Sequence, residues 1–346
     1  MINKKTCTFF ITALLTVITG CTRLFPVSPG SITTAAPAQP MVSATHARTP
    51  AKTATLETAP PTATTQPAAT LPPAPTATQT ARPPLVFAVI GDFGTDGKPE
   101  ADIAALVKSW HPAFIITTGD NNNPIGAAET IDRNIGKYYH AYIYNYHGKY
   151  GQGADQLRFF PALGNHDWTT RHAIPYLDYF TLPGNERYYD FVWGPVHFFA
   201  LDSDSREPDG VSASSVQARW LKKALAQAEE PWKIVYMHHP PYSSGKHGST
   251  DWMQWPFQAW GASLVLSGHD HVYERIMREG FPYITIGASG IPSLYNFVKT
   301  VPGSVVRYRR NYGALRIEAT PAELTIEFIN RDGEIIDRFT LTAPAP

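Results

Sequence analysis

Five short motifs carry oxygen or imidazole donors, and each follows an apolar run. They are Gly91-Asp92-Phe93-Gly94, Gly119-Asp120-Asn121-Asn122-Asn123, Gly164-Asn165-His166-Asp167, His238-His239-Pro240-Pro241 and Gly268-His269-Asp270-His271. A lone His-x-His is weak evidence, because packed or solvated histidines are common. Five strand ends furnished alike are stronger. Brought together, Asp92, Asp120, Asn165, His238, His269 and His271 would form a mixed nitrogen and oxygen site suited to zinc, iron or manganese. His269 and His271 lie two apart in a segment read as extended, so they would point to opposite sides of the backbone and reach different ions. Gly268 is expected to let the chain turn sharply there. No serine or cysteine sits in a motif that suggests a nucleophile.

The elements that must position these residues are legible as apolar runs. Strands are expected over 85–90, 113–117, 159–163, 195–201, 232–237, 264–266 and 283–286, the first an unbroken run suited to a sheet buried on both faces. Pro99 opens a helix reaching Trp110, with Ile103, Leu106 and Val107 on one face. A second helix spans about 214–229, with Trp220, Leu221, Ala224 and Leu225 inward. The tyrosine-rich stretch 135–150 reads as irregular helix and loop. Two alternating strands, 323–329 and 335–341, close the chain around an Asn330-Arg331-Asp332-Gly333 hairpin turn. Strands alternating with helices give an α/β domain, in which sites form at the carboxyl ends of strands.

The charge is balanced, with 29 Lys+Arg against 29 Asp+Glu in 346 residues. Such a balance gives no support for a nucleic-acid or anionic-membrane partner. The 31 prolines are denser before residue 85. Lys4-Lys5 precede an apolar run from Phe9 to Ile18, shorter than the roughly 20 residues of a spanning helix. Ile18-Thr19-Gly20-Cys21 resembles a bacterial lipobox, with cleavage before Cys21 and lipid on its sulfur; the other reading is an ordinary secretory signal. Cys7 would leave with the signal, so no internal disulfide is expected. The expected organisation is a lipoprotein signal over 1–20, an Ala/Thr/Pro-rich disordered linker over 21–84 and one domain over 85–346. The protein would be exported and lipid-anchored to the outer face of a bacterial membrane.

The ordered set of motifs between residues 91 and 271 resembles the calcineurin-like metallophosphoesterases, and more closely their purple acid phosphatase branch. The resemblance implies a four-layer αββα sandwich of two mixed sheets flanked by helices. It implies two metal ions, either divalent or iron plus a divalent ion: Asp92 and His271 hold the first, Asn165, His238 and His269 the second, and Asp120 bridges them. His166, oriented by Asp167, would face the substrate. His247, nine residues past His238, matches a further substrate-facing histidine. The branch places tyrosine where this chain has Asn123, a neutral and weaker donor than phenolate. Asn123 as ligand would favour divalent ions and a pale protein, unless Tyr138 or Tyr139 swings in.

Two ions in such a site clamp a phosphoryl group and lower the pKa of a water that attacks phosphorus. His166 or His247 would neutralise or protonate the leaving oxygen. The resemblance thus implies hydrolysis of phosphate monoesters of small molecules. The alternatives are a phosphodiesterase or nucleotidase and, in another class, a non-catalytic metal-stabilised surface binding protein. His239 is expected only to orient its neighbour or to hydrogen-bond to a loop. Asp202 ends a strand with no tie to a metal, and Trp252, Trp255, Phe257 and Trp260 read as packing.

Overall fold

The computed structural model describes residues 83–343. The readings on residues 1–82, Cys21 among them, lie outside the described residues. None of the described helices is long and apolar enough to cross a membrane.

Among the described residues, thirteen strands form two mixed sheets. In the first, β1 (Leu85–Ile90), β2 (Ile115–Thr117) and β3 (Phe159–Pro161) run parallel and adjacent. On the other side of β1, β11 (Gly313–Ala319), β12 (Glu323–Asn330) and β13 (Ile335–Thr342) continue the sheet antiparallel. The second sheet has a parallel centre of β5 (Val196–Ala200), β6 (Trp232–Tyr236), β7 (Leu264–Ser267) and β9 (Phe281–Ile286). Antiparallel β4 (Tyr189–Trp193) flanks β5, while β8 (Tyr273–Arg278) and β10 (Ser304–Tyr308) flank β9.

Side-chain alternation along the second sheet builds two cores at once. Phe198, Ala200, Ile234, Tyr236, Leu264, Leu266, Ile284 and Ile286 point into the core shared with the first sheet. Their neighbours Phe199, Val235, Val265 and Tyr283 point the other way, against Leu221 and Leu225 of the outer helix (Val216–Gln227). Phe87 of β1 meets Phe198 of β5 edge-on at 5.1 Å, tying the sheets together. On the first sheet lies α1 (Lys98–Ser109), whose buried Glu100, Ile103, Ala104 and Val107 repeat at helical spacing. The result is the expected α/β sandwich of two mixed sheets between helices.

The tyrosine-rich stretch passes through α2 (Ala128–Ile131), a π-helical turn (Asp132–Gly136), α3 (Lys137–Tyr139) and a 3₁₀ turn (His140–Tyr142). A short helix α4 (Ile174–Tyr179) follows β3, and the outer helix is α5. Four strands have no counterpart in the sequence reading: β4, β8, β10 and β11. The exposed edge strand β10 alternates intermediate and exposed positions, and β11 carries Arg316 and Glu318 between its apolar residues.

Candidate metal centre

β1, β2 and β3 are parallel neighbours in one sheet, as are β6 and β7 in the other, and all five motifs leave their carboxyl ends. The sheets meet there. Thr118, just past β2, accepts a hydrogen bond from His238 Nδ1 at 2.9 Å and donates its hydroxyl to the Ile286 carbonyl at 3.2 Å. Asp92, Asp120 and His269 adopt left-handed backbone, with φ of 51°, 52° and 69°. Such conformations cost a non-glycine residue of order 1–3 kcal/mol each and cluster at functional sites.

His269 is therefore not extended, and the opposite-sides argument for the two histidines gives way to a tight turn. Asp270 N–H donates to the Gly268 carbonyl at 2.8 Å, and Val272 N–H to the Asp270 carbonyl at 2.7 Å. Gly268 also has another role than the one expected. Its φ is not positive; instead, a Cβ there would lie 2.5 Å from Asp92 Oδ2. Gly119 has both constraints, a φ of 92° and His238 Nδ1 2.8 Å from where a Cβ would stand.

The donor atoms converge in two overlapping groups. Asp92 Oδ1 lies 3.5 Å from His271 Nε2. His238 Nε2 lies 3.0 Å from Asn165 Oδ1, 3.2 Å from His269 Nδ1 and 3.3 Å from Asp120 Oδ2. Asp92, Asp120 and His238 offer donor atoms within 4.8 Å of one another, which puts the Asp120 carboxylate where it could serve both groups. Outer partners fix the rings: His238 Nδ1–H donates to Thr118 and His271 Nδ1–H to the Ser293 carbonyl at 3.0 Å, so each presents Nε2 inward. His269 N–H holds Asp92 Oδ2 at 2.9 Å, and His166 N–H holds Asp120 Oδ1 at 2.8 Å.

These residues fit a metal centre. Asp92 is fully buried, and its Oδ1 has no hydrogen-bond partner. A buried anionic oxygen of that kind calls for a cation. Burial, followed by the neighbouring carboxylates Asp120 and Asp270, pushes Asp92 well above the usual carboxylate range, although His238 opposes it. Burial lowers His271 to about 4 and, together with the His238 charge, His239 to about 3. Burial and the adjacent His238 hold His269 lower still. Neutral imidazole is the form that binds metal. At His238 burial also works downward, but the Asp120 carboxylate outweighs it and raises the ring to about 10. Burial would raise Asp120; His238 overrides it and holds the carboxyl low.

Other expected residues fall at the rim. His166 is about a third exposed, gives Nδ1–H to the Pro124 carbonyl and sets Nε2 3.8 Å from Asp120 Oδ2. Asp167 is buried and accepts from Gly164 N–H and from Asn121 through backbone and side chain, so it shapes the loop beneath His166. The His247 ring lies 4.3 Å from that of His269, centroid to centroid. Burial lowers His247 somewhat, with Asp270 opposing. Asn123 is buried, and its amide nitrogen donates to the Asp120 carbonyl at 3.1 Å. Neither tyrosine proposed to replace it is placed as a ligand. Tyr138 donates to Asp96 at 2.7 Å, and Tyr139 packs in the core against Phe93, its hydroxyl unpartnered.

Three residues enter that sequence reasoning missed or undervalued. His239 does bond to a loop, its Nδ1 2.9 Å from Ser203 Oγ, but its ring also offers a donor within 4.8 Å of those of His238 and His269. Tyr295 stacks on His271 with centroids 3.8 Å apart, yet its loop has no motif that could have flagged it. Arg206 is clamped by both oxygens of Asp204 and donates to the Asn165 and Trp168 carbonyls, leaving its side chain half exposed at the rim. Asp202 braces the same loop by accepting from the Trp168 indole at 2.8 Å. Of the aromatic cluster, Trp255 and Phe257 are buried as expected, and Trp252 is 46% exposed.

Residues 85–273 match the family model described as calcineurin-like phosphoesterase. The chain belongs to that family. Tartrate-resistant acid phosphatase type 5 of Oryctolagus cuniculus is 25% identical over 73% of this chain and 90% of its own length. Purple acid phosphatase 15 of Arabidopsis thaliana is 31% identical over a shorter stretch, 33% of this chain and 25% of its own. Among solved structures, a purple acid phosphatase from yellow lupin seeds superposes with a TM-score of 0.60 at 18% identity, over 75% of this chain and 54% of its own. GAP50, the anchor in the inner membrane complex of Plasmodium, gives 0.60 at 19% over 76% and 90%. At these identities the structural matches speak to fold alone. Family membership makes this chain a phosphoesterase family member with acid phosphatase relatives.

Proposed function

We propose that the protein is a metal-dependent phosphatase that hydrolyses phosphate monoesters of small molecules. The observation that carries this reading is the unpartnered Asp92 Oδ1, buried among Asp120, His238 and His271 and beside two histidines at the rim. Asp92 and His271 would hold one ion, Asn165, His238 and His269 the other, with Asp120 between them and Asn123 or His239 as further donors. Zinc, manganese or iron suits this donor set, as two divalent ions or as iron with a divalent partner. Bound there, two ions polarise the phosphoryl group and bring the pKa of a water toward neutrality.

The chain's own part is orientation and charge. The Pro124 carbonyl fixes the His166 ring, Asp167 shapes the loop beneath it, and Asp120 Oδ1 fixes its backbone. His166 and His247 would present N–H groups to the phosphoryl and leaving oxygens, where developing negative charge is stabilised most in the transition state. Arg206 would add a fixed positive charge at the rim, within reach of an anionic substrate.

Turnover of a chromogenic monoester and of the matching diester, each with and without chelator, tests the reading. Monoester hydrolysis that chelator abolishes and added divalent metal restores is expected. A dominant diester activity would make the enzyme a phosphodiesterase, and chelator-insensitive turnover would end the metal reading. GAP50, the anchor in the inner membrane complex of Plasmodium, shares the fold; a metal-loaded protein with no turnover of either ester would move this chain toward a binding role.

A further inference from the structure

Asp270 sits between His269 and His271, fully buried, and its side chain turns to the loop 243–247. Its Oδ2 accepts the Ser243 hydroxyl at 2.5 Å, and its Oδ1 accepts the backbone N–H of His247 at 2.8 Å. The loop folds back onto these bonds. Gly245 N–H donates to Ser243 Oγ at 2.9 Å, and a Cβ on Gly245 would collide with the Asp270 carboxyl. Four residues on, buried Glu274 takes Ser244 N–H at 2.7 Å and the Ser304 hydroxyl at 2.5 Å. Two carboxylates on the segment that bears His269 and His271 thus grip the loop that bears His247, and the His247 ring lies over His269.

We propose that Asp270 is a positioning residue: it holds His247 over the centre so that its imidazole N–H reaches the leaving ester oxygen. This rests on the phosphatase reading. Both partners of the Asp270 carboxylate are hydrogen-bond donors, so a carboxylate satisfies both. A carboxamide sets an N–H against one of them. Release of the loop would misplace His247 while leaving the donor atoms of the histidines on either side unaltered in kind.

The test uses the metal-loaded protein and its Ser243→Ala, Asp270→Asn and His247→Ala variants, with 4-nitrophenyl phosphate (a good leaving group) and glycerol phosphate (a poor one). Ser243→Ala removes one bond to Asp270 without touching a residue adjacent to the metal-site histidines. In all three variants kcat on glycerol phosphate should fall about tenfold or more, with far smaller loss on the nitrophenyl ester. KM should change little. The Asp270→Asn/His247→Ala double variant should be no slower than His247→Ala alone. Metal content by elemental analysis should match the wild type. Equal losses on both esters, losses that multiply in the double variant, or metal loss in Asp270→Asn accompanied by full activity in Ser243→Ala would each overturn the proposal. Wild-type protein inert toward both esters would instead overturn the phosphatase reading beneath it.

Discussion

At the residue scale the centre concentrates on Asp120. One oxygen is held by His166 N–H, and the other faces both His238 and His166. Changing it to Asn keeps the shape and removes the charge that raises His238. Asp120→Asn should stay folded, lose at least about tenfold in metal affinity, as even outer partners of a metal do, and lose turnover. Near-wild-type activity with two metals per chain would end the role given to Asp120 between the metals. A second prediction concerns colour. If, as the resemblance implies, Asn123 takes the place of the purple branch's phenolate, then with Tyr138 bonded to Asp96 and Tyr139 packed in the core the iron-loaded protein should lack a strong visible band. Asn123→Tyr should gain one. A wild-type band that disappears in Tyr295→Phe would instead mark Tyr295, stacked on His271, as the tyrosine that reaches iron.

At the element scale, the loop after β1 and the start of α1 are joined by a buried acid. Glu100 Oε2 accepts Thr95 N–H at 2.8 Å and Asp96 N–H at 2.7 Å, while Oε1 is buried without a partner. Burial outweighs the two N–H groups and raises the carboxyl from 4.5 to about 8. The unfolded chain releases this proton first. Between those values the folded state therefore holds one proton more, and stability falls as pH rises through that window. Glu100→Gln keeps an oxygen for both N–H groups and removes the charge. Its gain over wild type in denaturant midpoint should be near zero at pH 4, should grow toward pH 8, and is of order kcal/mol, since each tenfold in proton affinity is worth about 1.4 kcal/mol. A pH-independent difference would refute the assignment.

The same scale shows what could be read from sequence. β1 and the Leu264-Val265-Leu266 run of β7 are legible as unbroken apolar runs and β6 as one interrupted only by Lys233, and their donors follow within a few residues. The pairing Asp92 with His271 and His238 with Asn165 and His269 came from family resemblance, and the distances group them the same way. The left-handed backbone at His269 was not legible, because histidine carries no conformational signature as glycine does. Neither was Tyr295, which reaches His271 from a loop with no periodicity, nor the grip of Asp270 on Ser243, which joins positions 27 residues apart.

At the scale of the whole molecule, both sheets and the candidate donor residues fall within 83–343, so a chain starting near Arg82 is expected to keep the site. We propose that its role is attachment. The apolar run from Phe9 to Ile18 ends at Ile18-Thr19-Gly20-Cys21, and residues 22–84 hold few large apolar side chains. Acyl groups on Cys21 would contribute about 0.8 kcal/mol per buried CH₂, so several chains together hold a protein at a membrane where one does not. Three proteins separate the contributions: wild type, Cys21→Ser, and a chain starting at Arg82. Wild type should sediment with membranes. Cys21→Ser should appear in the soluble fraction or retain its signal, and the shortened chain should be soluble with unchanged metal-dependent turnover. A serine variant that still partitions wholly with membranes would show that the apolar run, and not lipid on the cysteine, is the anchor.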